Sequence, residues 1–362
     1  MRVNYKNILI FLVLILGIYG IYKKMPSSIL KNSQYENKSI EVMKKLNVYD
    51  EVHKYDYSKT IEQLLLNNSF NEKYIKEYSN INYNTIDNFD NIINIFLEKN
   101  YTSTEINNIL ENLSESNINK LLTKDYIKLD KYYSVINLNV DNVDRYNKYK
   151  SEKNISLEDA VTQVNIGLDN KYYTEIKNID NPDDLLVLVN KYRALPENYE
   201  PDDLVTLSNG KQFKLRRVAA EAYEELIKYA SSNGIDVLPF SGYRSYNTQK
   251  VIYNNHVNNN GRDKADTYSA RPGHSEHQLG LAVDIRSKDY HLKRLTPEDA
   301  KWVNDNCSKF GFIVRYTKED EFITGYQEET WHLRFVGKDI AKKVMESGIT
   351  YDEYYDLYIE KY

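Results

Sequence analysis

The chain has 362 residues, 41% of them hydrophobic, and a formal net charge of −5 at pH 7. That apolar share excludes a disordered chain, and the length accommodates two domains of ordinary size. The absence of a basic block excludes nucleic acid as an expected partner, and a single cysteine, Cys307, excludes an internal disulfide.

The chain opens with "MRVNYKNILIFLVLILGIYGIYKK", in which Arg2 and Lys6 precede an uncharged apolar run from Ile8 to Tyr22, closed by Lys23 and Lys24. Such a run is long for a signal-peptide core and short for a spanning helix, but flanking Tyr and Lys lengthen the effective span by snorkelling. No A-x-A site follows it. We therefore expect an uncleaved signal anchor over residues 1–24, with a cleaved signal peptide as the alternative. Either reading places the rest of the chain outside the membrane, and export without disulfides suits a Gram-positive cell surface.

Residues 25–54 are polar and read as a tether. From 55 to 160 Gly and Pro are scarce, and apolar residues recur at helical spacing: Ile61, Leu64, Leu65; Ile92, Ile93, Phe96, Leu97; Ile106, Ile109, Leu110, Leu113; Ile118, Leu121, Leu122. Thr102 and Glu105 have capping-box spacing. "IEQLLLNNSFNEKYI" and "INIFLEKNYTSTEI" share a helix end, an Asn, an aromatic and a polar cap. The spacing predicts short stacked helices, read as a spacer, with a wall-binding or substrate-channelling module as the alternative.

Beyond residue 160 the texture becomes mixed. "RVAAEAYEELIKYASSNGI", "SYNTQKVIYNNHVNNNG", "TPEDAKWVNDNCSKFGF" and "GKDIAKKVMESGI" read as helices, with Ser245 and Thr296 as N-caps. "DVLPFS", "LAVDIRS", "FIVRY" and "TWHLRFVG" read as strands. Residues 351–362 read as a Tyr-rich tail. Helices interleaved with non-repeating strands predict an α+β fold over 161–350. Cys307 reads as a small buried residue on a helix.

Six histidines are present. His53, His256 and His291 sit in polar contexts and read as surface residues. "RPGHSEHQLGLAVDI" supplies His274, Glu276, His277 and Asp284, and "EETWHLRF" supplies Glu328, Glu329 and His332. Two His and one carboxylate form a known zinc donor set that leaves a position for water. Asp284, between Val283 and Ile285 on an apolar strand, needs a cation, a metal or several donors to be buried there. Spacing alone does not choose between His274 and His277. Glu329, three residues before His332, suits a proton carrier beside a zinc-bound water. HExxH is absent. Arg244 in "SGYRSYNTQ" follows a Gly at a strand end and suits a carboxylate or a developing oxyanion.

"SGYRSYNTQ", "ADTYSARPGHSEHQLGLAVDI", "FGFIVRY" and "TWHLRFVG", in this order and spacing, resemble the VanY-type D-alanyl-D-alanine carboxypeptidases. These are zinc metallopeptidases of the hedgehog/D-Ala-D-Ala-peptidase-like fold group, and the resemblance spans about residues 160–345. It implies an antiparallel sheet with flanking helices, and His277, Asp284 and His332 as zinc ligands, with His274 as an ordinary neighbour. It further implies Glu329 as the catalytic carboxylate, Arg244 as the stabiliser of the transition state, and Ser275 and Gln249 in the substrate pocket. Arg315 is a further candidate for the stem peptide's terminal carboxylate. Two departures stand out: Thr330 where the family often has Pro, and Thr317 where it often has Pro after Arg-Tyr; neither removes a reacting group.

The resulting expectation is a zinc-dependent D,D-carboxypeptidase, monomeric and membrane-anchored, that faces the cell wall and trims peptidoglycan stem peptides. An L,D-carboxypeptidase, an endopeptidase and a non-catalytic zinc-bearing wall-binding module are the alternatives.

Overall fold

The computed structural model describes residues 34–210, 212–288 and 295–362, which divide into two compact units meeting at Val135 and Ile136. The anchor expected at residues 1–24, and His291, lie outside the described residues. No described helix is long and apolar enough to cross a membrane.

The first unit is all-helical: α1 Asn37–Lys45, α2 Tyr49–Val52, α3 Lys59–Leu66, α4 Ile75–Tyr78, α5 Phe89–Glu98, α6 Ser103–Asn112 and α7 Glu115–Thr123. The apolar residues at helical spacing form its interior, with Ile61, Leu64, Leu65, Ile93, Phe96, Ile106, Ile109 and Leu121 fully buried. Thr102 and Glu105 close a reciprocal capping box at α6. Three helices end in one way: Asn47, Asn68 and Asn100 take left-handed backbone with φ of 58°, 57° and 68°. The next N–H then reaches back five residues, as in Ser69 N to Leu64 O at 2.9 Å and Tyr101 N to Phe96 O at 3.0 Å. That shared closure is the physical content of the similarity between the two quoted segments. Part of the expected tether is folded: α1 lies within residues 25–54, and Met43, Val48 and Val52 are buried. His53 is also buried, between Tyr35 and Tyr49, so the reading of it as a surface residue is corrected.

The second unit begins with α8 Val143–Lys153 and α9 Leu157–Asn165, followed by two short ladders. These are β1 Lys177–Asn178 with β2 Arg193–Ala194, and β3 Leu204–Thr206 with β4 Lys214–Arg216. Next come α10 Arg217–Ser232, β5 Val237–Ser241, α11 Tyr246–Asn260, α12 Arg262–Ala265, β6 Ala282–Ser287, α13 Pro297–Asn306, β7 Phe312–Tyr316, α14 Glu321–Thr324, β8 Glu329–Phe335, α15 Lys338–Ser347 and α16 Tyr351–Tyr358. The main sheet is antiparallel with order β5-β6-β8-β7. Ser245 and Thr296 cap α11 and α13 as their sequences predict.

Alternation along the strands sorts this sheet into two faces. Val283, Ile285, Phe312, Val314, Leu333 and Phe335 join one apolar core with α10 residues Ala219, Tyr223 and Leu226 and with Cys307. The residues between them, Asp284, Arg315, His332 and Arg334, belong to the opposite face. The expected tail is the helix α16, packed with α15 against Ile313 and Leu188. Asp356 of α16 accepts hydrogen bonds from Asn137 and Asn165, which draws the segment containing α8 and α9 into this unit rather than into the helical region expected to end at 160.

Candidate active site

Register builds the floor of the site. Asp284 on β6 lies directly opposite His332 on β8, so their side chains emerge on one face as close neighbours. Both outer strands slip register here, β5 between Pro239 and Ser241 and β7 between Val314 and Tyr316. Such bulges re-aim side chains at a sheet margin. The 3-10 turn Glu276–Leu279 leads into β6 and supplies His277. Gly280, with φ of 66°, ends that turn where a Cβ would meet Leu204 at 2.9 Å. Gly242 allows the β5 end to approach the backbone of Lys214, whose oxygen lies 2.6 Å from where its Cβ would be.

His277, Asp284 and His332 present ligand atoms all within 4.8 Å of one another, and all three residues are buried. His277 Nδ1 donates to Gly242 O at 2.8 Å, which turns Nε2 toward Asp284 Oδ2 at 3.2 Å. His332 is mounted the other way round. Its Nε2 donates to Glu276 Oε2 at 3.1 Å, and its Nδ1 lies 3.0 Å from Asp284 Oδ1. Two ring nitrogens and a carboxylate converge, each with its remaining polar atoms held by protein. This donor set fits a tetrahedral zinc with one position open to solvent.

Electrostatics follow from burial and neighbours. Burial, then the Arg244 charge, brings His277 down to about 4. Burial also opposes charge on His332, but hydrogen bonds to Asp284 and Glu276 outweigh it and hold this ring at about 9. Asp284 stays well below the usual carboxylate range: burial pushes it up, and His277 and His332 more than reverse that.

Glu329, at the start of β8, lies at the edge of the floor with Oε2 4.0 Å from His332 Nδ1. Arg244 Nη2 is 3.3 Å from Asp284 Oδ2, while Nη1 donates to Gln249 Oε1 at 2.9 Å. Gln249 is itself fixed through Nε2 to Ala270 O at 2.8 Å. Arg244, Gln249, Ser275, Glu329 and the three floor residues line a common cleft of about 120 Å³. Tyr316, Tyr326 and Trp331 complete its wall, and Ile252, His256 and Tyr268 line it from α11 and the loop beyond α12.

Two residues lie outside the cleft: His274, which the resemblance makes an ordinary neighbour, and Arg315, which was expected to reach substrate. His274 is buried, with Nδ1 2.8 Å from Asn190 O and its ring edge-on to Tyr173. Arg315 is not a cleft residue: it is only 1% exposed, held by Glu276 at 3.0 Å and by Asp352 at 2.8 Å. The alternation of β7 sends its side chain into a buried ion cluster, so it does not reach a terminal carboxylate in the cleft. Two cleft residues escaped the sequence reading. His256 reads there as a surface residue, yet Gln249, Ile252 and His256 recur at i, i+3 and i+7 on α11, the spacing of a single helix face. Glu276 is named there only as a nearby acid, with no signal for its partner 56 positions away.

Comparison with known proteins gives the family. The family described as VanY: D-alanyl-D-alanine carboxypeptidase matches residues 212–338. The protein named "Putative carboxypeptidase YodJ" of Bacillus subtilis (strain 168) is 43% identical over 206 residues, covering 52% of this chain and 76% of its own. Among solved structures, the LdcB LD-carboxypeptidase is 43% identical, with coverage of 51% and 92% and a TM-score of 0.47. A mutant of the vancomycin-resistance D,D-pentapeptidase VanY in complex with Zn(II) is 34% identical, with coverage of 47% and 97% and a TM-score of 0.43. The chain belongs to the VanY D-alanyl-D-alanine carboxypeptidase family.

Proposed function

We propose that the chain is a zinc-dependent D,D-carboxypeptidase that removes the terminal D-alanine from peptidoglycan stem peptides. The observation that carries this reading is the convergence of His277 Nε2, His332 Nδ1 and the Asp284 carboxylate on the floor of a cleft that also holds Glu329 and Arg244. Bound by those three side chains, zinc would supply Lewis acidity and a water of lowered pKa. Glu329 takes the proton of the attacking water and returns it to the departing amine. Arg244, steadied by Gln249, faces the oxyanion that develops on the scissile carbonyl. The Ser275 hydroxyl, which lines the same cleft, is the donor for the substrate's terminal carboxylate. Trp331, Tyr316 and Tyr326 limit the water that reaches the reacting atoms.

A second reading, cleavage of a tetrapeptide stem as an L,D-carboxypeptidase, keeps every one of these roles. It is favoured by the wall formed by Ile252, His256 and Tyr268, which could receive a longer penultimate side chain. In cells, the same reading puts the second unit at the cell wall, tethered through the N-terminal apolar run and acting as a monomer.

The test incubates the full chain, zinc-loaded, with a pentapeptide stem ending in D-Ala-D-Ala and separately with the tetrapeptide, products being weighed by mass spectrometry. Loss of one alanine from the pentapeptide alone is the expected result. Loss from the tetrapeptide alone would move the enzyme to the L,D class. An intact pair of peptides with zinc bound would overturn the carboxypeptidase reading.

A further inference from the structure

The His332 ring has two nitrogens, and only one can face His277 and Asp284. What decides between them is Glu276, whose side chain has no exposure. Oε2 accepts from His332 Nε2 at 3.1 Å, and Oε1 accepts from Arg315 Nε at 3.0 Å and Arg334 Nη1 at 3.2 Å. Both arginines are anchored in turn. Arg334 Nη2 donates to Leu185 O and Val187 O at 3.0 and 2.9 Å. Arg315 Nη2 pairs with Asp352 at 2.8 Å, and the other oxygen of Asp352 accepts from Asn190 Nδ2 at 2.7 Å. Two buried cations, Arg315 and Arg334, balance two buried anions, Glu276 and Asp352.

Such a cluster is costly to bury and contributes little net stability compared with an apolar filling of the same volume. Its geometric consequence is specific, because every rotation of the Glu276 carboxylate breaks a charged hydrogen bond. Asp352 is the remote end of the chain. It sits in the first turn of α16, which a capping box of Thr350 and Glu353 begins, outside the segment 212–338 that matches the family.

We propose that Glu276 is the positioning residue of the metal centre: it locks the His332 ring with Nδ1 toward His277 and Asp284, and Arg315 and Asp352 extend that hold to the C-terminal helix. The inference rests on the zinc reading above. A carboxylate behind a ligating imidazole fixes its orientation and raises its basicity, and loss of such a partner typically lowers metal affinity by about 10–100-fold.

The experiment uses the full chain, its E276Q and D352N variants, and zinc or cobalt(II) alone as the probe. Affinity is read by competition with a chelator, the ligand field by the cobalt absorption bands, and folding of the metal-free proteins by circular dichroism. E276Q keeps an acceptor and loses the charge. We expect a folded protein with about 10–100-fold weaker zinc binding and shifted cobalt bands; D352N, acting through Arg315, shows a smaller change in the same direction. Folded variants that bind as tightly as the parent, with unshifted bands, would overturn the proposal. Should either substitution prevent folding, the parent itself decides: in the zinc-loaded chain with 15N-labelled histidine, His332 should carry its proton on Nε2 and His277 on Nδ1. The opposite tautomer at His332 contradicts the lock. A parent that binds no zinc instead removes the zinc reading on which the proposal stands.

Discussion

Each unit buries a carboxylate, and they do it differently. In the helical unit, Glu62 is met by neutral donors, Glu36 N at 2.8 Å and the Tyr57 hydroxyl at 2.7 Å. In the second unit, Glu276 is met by Arg315, Arg334 and His332, and Arg315 is tied further to Asp352. Neutral donors suffice where a side chain only has to be buried. A web of charges costs more desolvation, and it returns a fixed direction for one imidazole. The first unit buries its carboxylate among neutral donors, and the second sets its carboxylate against a ring of the candidate site.

That contrast breaks most readily at Glu329. Glu329→Gln keeps the shape of the side chain and removes the proton acceptor, so kcat should fall by about 10²–10⁴-fold while the thermal transition stays in place. A variant with near-parental turnover would take the proton-transfer role away from the cleft. Arg244→Ala should lower kcat by about 10²–10³-fold, the scale of losing one oxyanion donor. Steady-state kinetics on the same peptide would check it, and an effect confined to KM would reassign Arg244 to substrate binding.

The next effect is on stability. Burial holds the Asp356 carboxyl up at about 6, against the ordinary 3.8, despite hydrogen bonds from Tyr362, Asn137 and Asn165. The folded state therefore binds this proton more tightly than the unfolded chain. From this group, stability is highest below pH 3.8, and it declines as pH rises toward 6, by on the order of 3 kcal/mol in total. Urea titrations at pH 5 and 7.5 should show the second unit losing less stability across that interval in Asp356→Asn than in the parent. Equal losses in the two proteins would contradict this. The smallest effect belongs to the helical unit: Thr102→Ala removes the α6 cap and should cost about 1 kcal/mol without changing peptide turnover. A drop in turnover there would show that the units do not divide their tasks as described.

What the sequence makes legible follows the range of the interactions. Helix faces such as Ile92, Ile93, Phe96 and Leu97, and caps such as Thr102, Ser245 and Thr296, depend on residues within a turn or two, and they stand where spacing predicts. The floor of the site was reached through a resemblance, since spacing alone left His274 and His277 equivalent. Pairings across the chain were not legible. Asn137 with Asp356, and Glu276 with His332, join residues whose partners no local pattern names, and this is why residues 351–362 read as a tail and Arg315 as a substrate ligand. A partial signal was present: His332 and Arg334 are two apart on one strand, so a charged face shared by both was readable from alternation.

The metal centre is tested most directly by the zinc content of the full chain, measured by elemental mass spectrometry alongside D-alanine release, in the parent and in His277→Ala, Asp284→Ala and His332→Ala. We expect one zinc per parent chain, and in each variant a loss of bound zinc together with a loss of release. A variant that keeps its zinc, or that still releases D-alanine at the parental rate, would contradict it.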